Sequence, residues 1–319
     1  MKLAVSIDVE EEGLFTNRYD PGDAPVSNVR FLRLLDPVFQ DHGIRPALLV
    51  SYRVAANESC RELLLELREK WQGEIGAHLH PWNTPPIEKL PYPDPVPSEL
   101  IPRELLSRKL DTLLEAISRM GVSPVSFRMG RFNMGPRMFS VLEEKRLEVD
   151  SSIAPMRKTY RGPNHLAAPT DPYFPDPANL CSPGTSRILE VPMTIVPLIA
   201  GLGAGLERLE SRGLVPTSWV RWFAMNCGSI PVQPAWTTLG RLKAGTLLHR
   251  SQGGRVLSMF FHSSELFPEG NPKHPTTPQV KLFLKKLNDF FSWISEKMSA
   301  ESVTLSELRQ DYETREQAK

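Results

Sequence analysis

Cysteine is scarce: the 319 residues hold three, Cys60, Cys181 and Cys227, far apart and in no CxxC arrangement. An odd, scattered set supports neither a disulfide framework nor a thiolate zinc site, and it fits a reducing compartment. Excess charge is missing as well. With 38 basic and 37 acidic residues the formal net charge is +1, so no general field grips nucleic acid or an anionic membrane, and any binding specificity must be local. No nucleic-acid partner is expected. Nor does any apolar run approach the roughly 18 to 20 residues that cross a bilayer, so no transmembrane segment is expected. The opening MKLAVSIDVE lacks the basic head and longer apolar run of a signal peptide. It reads as a core strand that starts at once, and the expected location is cytoplasmic.

Proline, in contrast, is abundant, with 30 residues against a usual share of roughly 5%. The prolines cluster in residues 81–102 and 155–192, where they are excluded from central strands. Both stretches therefore read as long, stiff loops of the kind that wall a binding groove. Around them, short β-rich runs alternate with amphipathic stretches. LAVSI is followed by the apolar set Phe31, Leu34, Leu35, Val38 and Phe39, then PALLVS, then a leucine-rich helix from Arg61 to Trp71. EIGAHLH, a helix opened by Pro102 and closed near Gly121, VSFRM, a helix opened by Pro136, and LEVDSS continue the alternation. RILEVPM, helical segments between Gly205 and Arg250, RVLSMFF, a helix from about Pro278 to Met298 and a strand-like SVTL complete it. Repeated β-then-α units imply a parallel sheet with right-handed crossovers. The fold class expected is α/β, a distorted barrel of about seven parallel strands forming one domain over 1–319.

Titratable residues recur at the C-terminal ends of these strands, where β/α folds place their active sites. Asp8 and Glu10 follow the first apolar run and His78 with His80 the third; at spacing two, both members of a pair face the same way. Arg128 ends VSFR, Asp150 ends LEVD, and His262 follows RVLSMFF. Two imidazoles and a carboxylate make a typical catalytic zinc set that leaves a position open for water, and Glu10, His78 and His80 supply that count. Asp8 is then a spare carboxylate able to act as base, and His262 an acid for a departing amine. Whether Asp8 as well as Glu10 touches the metal stays open. Taken singly, an HxH pair is weak, Glu10, Glu11 and Glu12 read equally well as a solvated acidic run, and Arg128 with Asp150 as a structural ion pair. Their convergence at strand ends carries the functional reading. Trp82 and Arg131 are candidate sugar contacts, and Trp236 is an alternative stacking platform. GLGAG at 201–205 lacks GxGxxG spacing and is set aside.

These segments resemble the polysaccharide deacetylase superfamily, carbohydrate esterase family four. SIDVEEE, EIGAHLHPW, SFRMGRFNMGP, VDSSIAP and FFHSSEL are similar to its five motifs, in the family's order, from residue 6 to about 265. The resemblance implies a deacetylase-type barrel that hydrolyses an N-acetyl group of an amino sugar. It implies Asp8 as base, Glu10 and His78 as metal ligands, Arg128 orienting the base, Asp150 tuning the acid, and His262 as that acid. Two departures stand out: Val9 separates the acidic pair that is adjacent in the family, and the second histidine lies two rather than four residues on, with Trp82 at the usual place. His80 is therefore a ligand candidate on chemistry alone. The pattern is similar to a subgroup associated with lipopolysaccharide and other surface-glycan biosynthesis, which implies a nucleotide- or lipid-linked amino-sugar precursor and a divalent metal, zinc by preference. The alternatives are a metal-free sugar-binding or scaffolding protein on the same fold, or a hydrolase of another amide such as N-formyl.

Overall fold

The computed structural model describes residues 1–319 except Arg18, Asp20, Pro21, Asp23, Tyr160, Arg161, Ala318 and Lys319, together with the side chains of 315–317. Its frame is a parallel sheet whose strands we number β1 (Lys2–Val9), β2 (Ala47–Val50), β3 (Glu74–Leu79), β4 (Ser126–Met129), β5 (Val149–Asp150), β6 (Leu189–Glu190), β7 (Val256–His262) and β8 (Glu301–Val303). Seven strands run in the order β7-β1-β2-β3-β4-β5-β6, and β8 pairs with the start of β1 below β2. Between β6 and β7 the ladder is replaced by Thr194, whose N–H donates to the Ser258 carbonyl at 3.0 Å and whose hydroxyl accepts from the Ser258 N–H at 2.8 Å. The result is a distorted β/α barrel, with β5 and β6 only two residues long.

Period two explains how β1 serves two environments. Leu3, Val5, Ile7 and Val9 pack into the main apolar core under the helices, while Ala4 joins a smaller cluster with Ala47, Leu49 and Val256 inside the barrel. Ser6 and Asp8, on the Ala4 side, face the inside higher up. The same alternation puts Leu257, Met259 and Phe261 of β7 in the outer core and leaves Phe260 and His262 for the interior.

Several elements match the expectations closely. The helix after Pro102 spans Arg103–Ser118, with Gly121 in the left-handed region at φ +69°, and Pro136 opens a helix to Glu144. The segment before β2 differs. Residues Ser27–Leu35 form a 3₁₀ helix rather than an α-helix, so burial follows a period of three and falls on Val29, Leu32 and Leu35, while Leu34 is turned to solvent. The proline-rich stretch 81–102 is held from beneath by the buried Lys109, which donates to the carbonyls of Thr84 and Pro86 at 2.6 and 2.7 Å. The second proline-rich stretch carries a short antiparallel pair, Pro175–Asp176 with Asn179–Pro183. Between β6 and β7 lie a strand pair, Ile195–Pro197 with Ser229–Pro231, and the helices Leu202–Ser211, Thr217–Asn226 and Leu239–Ser251.

Candidate active site

At the C-terminal ends of β1, β3, β4 and β7 the structure gathers Asp8, Glu10, His78, His80, Arg128 and His262. Parallel register does part of this directly: Asp8 is level with His262, and His78 with Arg128.

The histidine pair defines the floor. His78 and His80 are buried, and their Nε2 atoms are 2.9 Å apart. Each Nδ1 has an acceptor of its own, the Arg128 carbonyl at 3.1 Å for His78 and the Glu11 carboxylate at 2.8 Å for His80. An Nδ1–H committed in this way leaves the Nε2 lone pair free, the arrangement found when imidazole ligates a metal. Glu10 completes the set, its Oε2 lying 3.5 Å from His78 Nε2 and 3.4 Å from His80 Nε2. One donor atom from each of the three residues falls within 4.8 Å of the others. The main chain of Glu10 is pinned by Asn28, which donates to its carbonyl at 2.9 Å, and by Ser263, whose Oγ accepts from its N–H at 3.2 Å.

Arg128 is fully buried and spends its donors inside the barrel. It donates to Asp8 Oδ1 at 2.5 Å, to the Ser151 carbonyl at 2.7 Å, to Ser6 Oγ at 2.8 Å and to Ser151 Oγ at 2.9 Å. The rings of Phe132 and Phe260 cover the guanidinium at 5.4 and 5.2 Å. To bring Phe132 there, Arg131 and Phe132 both adopt the left-handed region, at φ 58° and 54°, a strain that side chains other than glycine carry mainly where the surroundings enforce it. Asp8 keeps its second oxygen turned to the histidines, with Oδ2 at 3.9 Å from His78 Nε2 and 3.8 Å from His262 Nε2.

His262 retains slight access to solvent, its side chain being 13% exposed. Its Nδ1 meets Glu265 Oε1 at 3.1 Å, and its main-chain N–H donates to Glu265 Oε2 at 3.3 Å. Burial disfavours the imidazolium, but Glu10, Glu265 and Asp8 together raise its pKa to about 9. His80 rises in the same way, to about 10, as Glu11 and Glu10 outweigh burial. Conversely, burial opposes ionisation of Glu10, yet His262, His78 and His80 hold its carboxyl well below the usual range. Four buried carboxyl groups, Asp8, Glu10, Glu11 and Glu265, thus surround the three imidazoles, and of them Asp8 pairs with the Arg128 guanidinium. The cluster demands further positive charge, as protons on the imidazoles or as a bound cation, and the donor set of two free Nε2 atoms and a carboxylate suits a divalent metal.

The other sequence candidates lie differently. Trp82 is 6% exposed and stacks on the His80 ring, with centroids 4.3 Å apart and planes at 25°, so its face is occupied by protein. Gly130 makes room for that stack, since a Cβ there would stand 2.6 Å from His80 Cδ2 and 3.2 Å from Trp82 Cη2. Arg131 is exposed at the rim and hydrogen-bonded to the Tyr19 hydroxyl. Asp150 is level with Glu190 on β6 and paired with it, and it accepts from the Ser152 hydroxyl; the carboxylate that meets His262 Nδ1 is that of Glu265. Glu11, Glu265, Asn28 and Ser263 were not singled out as site residues in the sequence. Only Glu265 had a local signal, a Glu three residues after a strand-end His, which here closes a reciprocal capping box.

No family model matches the sequence, and no curated protein matches it. Among solved structures the chain is similar to a candidate glycoside hydrolase/deacetylase of Parabacteroides distasonis, at 14% identity and TM-score 0.65 over 98% of this chain and 71% of that one. It is similar also to a candidate polysaccharide deacetylase of Mycobacterium smegmatis, at 15% identity and TM-score 0.57 over 99% and 91% of the two chains. A third likeness, to the 4-alpha-glucanotransferase of Thermococcus litoralis, has 13% identity and TM-score 0.50 and covers 96% of this chain but 39% of that one. What these proteins share with the chain is the fold. The third is named for a different reaction, so the chemistry here has to be argued from the site.

Proposed function

We propose that the protein is a metal-dependent carbohydrate N-deacetylase, which hydrolyses the acetamide of an amino sugar to acetate and a free amine. The observation that carries this reading is the position of Asp8, within 4 Å of both a metal-donor imidazole and His262, with its other oxygen locked to Arg128. Asp8 takes a proton from water as the water oxygen bonds to the acetamide carbon. The C–N bond then breaks, and His262 delivers a proton to the departing nitrogen through Nε2, its Nδ1 side being held by Glu265. Arg128 positions Asp8 and keeps one of its oxygens out of play. Glu10, His78 and His80 would hold the metal, zinc by the preference of that ion for two imidazoles and a carboxylate, and it would polarise the carbonyl oxygen and acidify the attacking water.

The sequence resemblance supports a cytoplasmic, nucleotide- or lipid-linked precursor of lipopolysaccharide or another surface glycan as substrate, handled by a single domain. A sugar-binding or scaffolding role would have no use for an aligned base and acid. Metal content and acetate release from UDP-N-acetylhexosamines and lipid-linked amino sugars test the reading on wild type, Asp8→Asn and His78→Ala. Metal with acetate that disappears in Asp8→Asn is expected. Sugar binding with neither metal nor acetate would overturn it, and formate in place of acetate would reassign the acyl group.

A further inference from the structure

Half of the exposed large apolar side chains among the described residues, seven of fourteen, fall within residues 198–225. The most prominent are Ile199 at 69%, Leu214 at 64%, and Trp222 and Met225 at 55% each, with Trp219 beside them. On the helix Thr217–Asn226, Trp219, Trp222 and Met225 recur at intervals of three and share one side, while Val220 and Ala224 face inward. Leu198 and Ile199 are tied to the end of this helix, the Leu198 N–H donating to the Gly228 carbonyl just past it. The inner surface of the unit is fixed. Leu206, Val220 and Ala224 pack with Met156 and Phe260, and Gly203 lies so close to the Leu166 carbonyl that a Cβ would stand 1.7 Å from it. Since Phe260 also covers the guanidinium of Arg128, the unit borders the candidate active site.

The acids of this unit are already engaged: Glu210 pairs with Lys158 at 2.5 Å, and Glu207 accepts from Asn164 at 2.6 Å. Arg208 and Arg212 are exposed. The unit therefore offers exposed indoles, aliphatic groups and guanidinium groups, against a whole-chain net charge of only +1. Indoles favour the membrane–water interface, and guanidinium pairs with phosphate. No described helix is long and apolar enough to cross a bilayer, so such a surface would lie on one.

We propose that residues 198–225 form a docking surface for an anionic phospholipid bilayer. It places the strand-end mouth beside the headgroups and favours the lipid-linked form of the amino-sugar substrate; that last consequence rests on the deacetylase reading, whereas the docking itself does not.

Co-sedimentation of the full chain with phosphatidylglycerol-containing vesicles, compared with pure phosphatidylcholine vesicles, tests it. Binding to the anionic vesicles is expected to fall about tenfold in Trp222→Glu and in Ile199→Glu. Leu282→Glu, which changes an apolar side chain 65% exposed on the helix Thr277–Met298, is expected to bind like wild type and controls for the added charge. Acetate release from a soluble amino sugar is read in parallel and is expected to be the same in all three, so failure of docking and failure of the deacetylase reading are distinguishable. Absence of vesicle binding by wild type, or an equal loss in all three variants, would overturn the proposal. So would a dimer in sedimentation velocity that dissociates in Trp222→Glu while vesicle binding is absent, because a second copy would then own the surface.

Discussion

His78 and His80 turn their Nε2 atoms toward each other across 2.9 Å while each Nδ1 is held by a separate acceptor. Two neutral imidazoles in these tautomers have no proton to share at that contact, so the pair is relieved either by taking up a proton or by binding a cation. Zinc is therefore expected to raise the melting temperature of metal-stripped wild type, with about 2.7 kcal/mol of stabilisation when free metal is a hundredfold above its Kd. His78→Ala is expected to abolish the shift. Glu11→Gln, which touches the metal set only through His80, is expected to weaken zinc affinity by about 10- to 100-fold in competition with a chromophoric chelator.

Arg128 and Asp8 form a buried ion pair, and removing either partner has different consequences. Arg128→Ala strands the Asp8 carboxylate and also frees Ser6 and Ser151, so a loss of about 3 to 5 kcal/mol is expected in urea denaturation. Asp8→Asn keeps an acceptor oxygen for Arg128 and is expected to cost far less stability, while acetate release falls by about a hundredfold or more through loss of the base. Equal destabilisation by both changes would show that Arg128 is not tied chiefly to Asp8.

Strand-end residues were legible in the sequence because an apolar run of period two fixes both the strand and the side on which its last residues emerge. Asp8, His78, Arg128 and His262 all follow from that rule, as does the gathering of Glu10 with the two histidines. Residues one step beyond the pattern were not legible. Glu11 read as part of a solvated acidic run, yet it is buried against His80, Ser51 and Asn83. The period-two rule that reaches Glu10 does not place Glu11, whose contact depends on where the loop after His80 returns. Trp82 illustrates the same limit: an aromatic beside a histidine pair invites a sugar-stacking role, but which ring lies against its face is decided by Gly130, 48 residues along the chain. The apolar side of residues 198–225 was likewise hidden, since exposure cannot be read from composition.

Glu265 orients His262 and adds negative charge beside it, which bears on the pH dependence of turnover. The imidazole has a raised pKa, to about 9, so the protonated acid is present below that value and is lost as pH rises through it. Glu265→Gln removes one of the charges that sustain the shift, and the alkaline limb of the kcat/KM profile is expected to move toward neutral pH. A bound cation acts on both proteins alike, so the comparison isolates Glu265. An unchanged limb with reduced kcat would assign Glu265 to ring orientation alone.

Asp150 and Glu190 are paired carboxyl groups, completely buried, and one oxygen of each, Asp150 Oδ2 and Glu190 Oε2, meets no hydrogen-bond donor among the described residues. Burial pushes Asp150 up to about 6, and burial together with the charge of Asp150 pushes Glu190 higher. A proton held between them is the physical meaning of both shifts. An acid whose pKa is higher in the folded than in the unfolded chain contributes fully below its unfolded value, near 4, and loses that contribution as pH rises through its folded value. Stability is thus expected to decline on account of this pair as pH rises from about 4, where the unfolded carboxyls ionise, through about 6. Glu190→Gln keeps the oxygen that accepts from the Ile153 N–H and supplies an amide donor for Asp150 without needing a proton. The variant is expected to melt higher than wild type at pH 8 and to lose the advantage toward pH 5. A lower melting temperature at both values would mean that the pair does not share a proton and that Glu190 is held ionised by its surroundings.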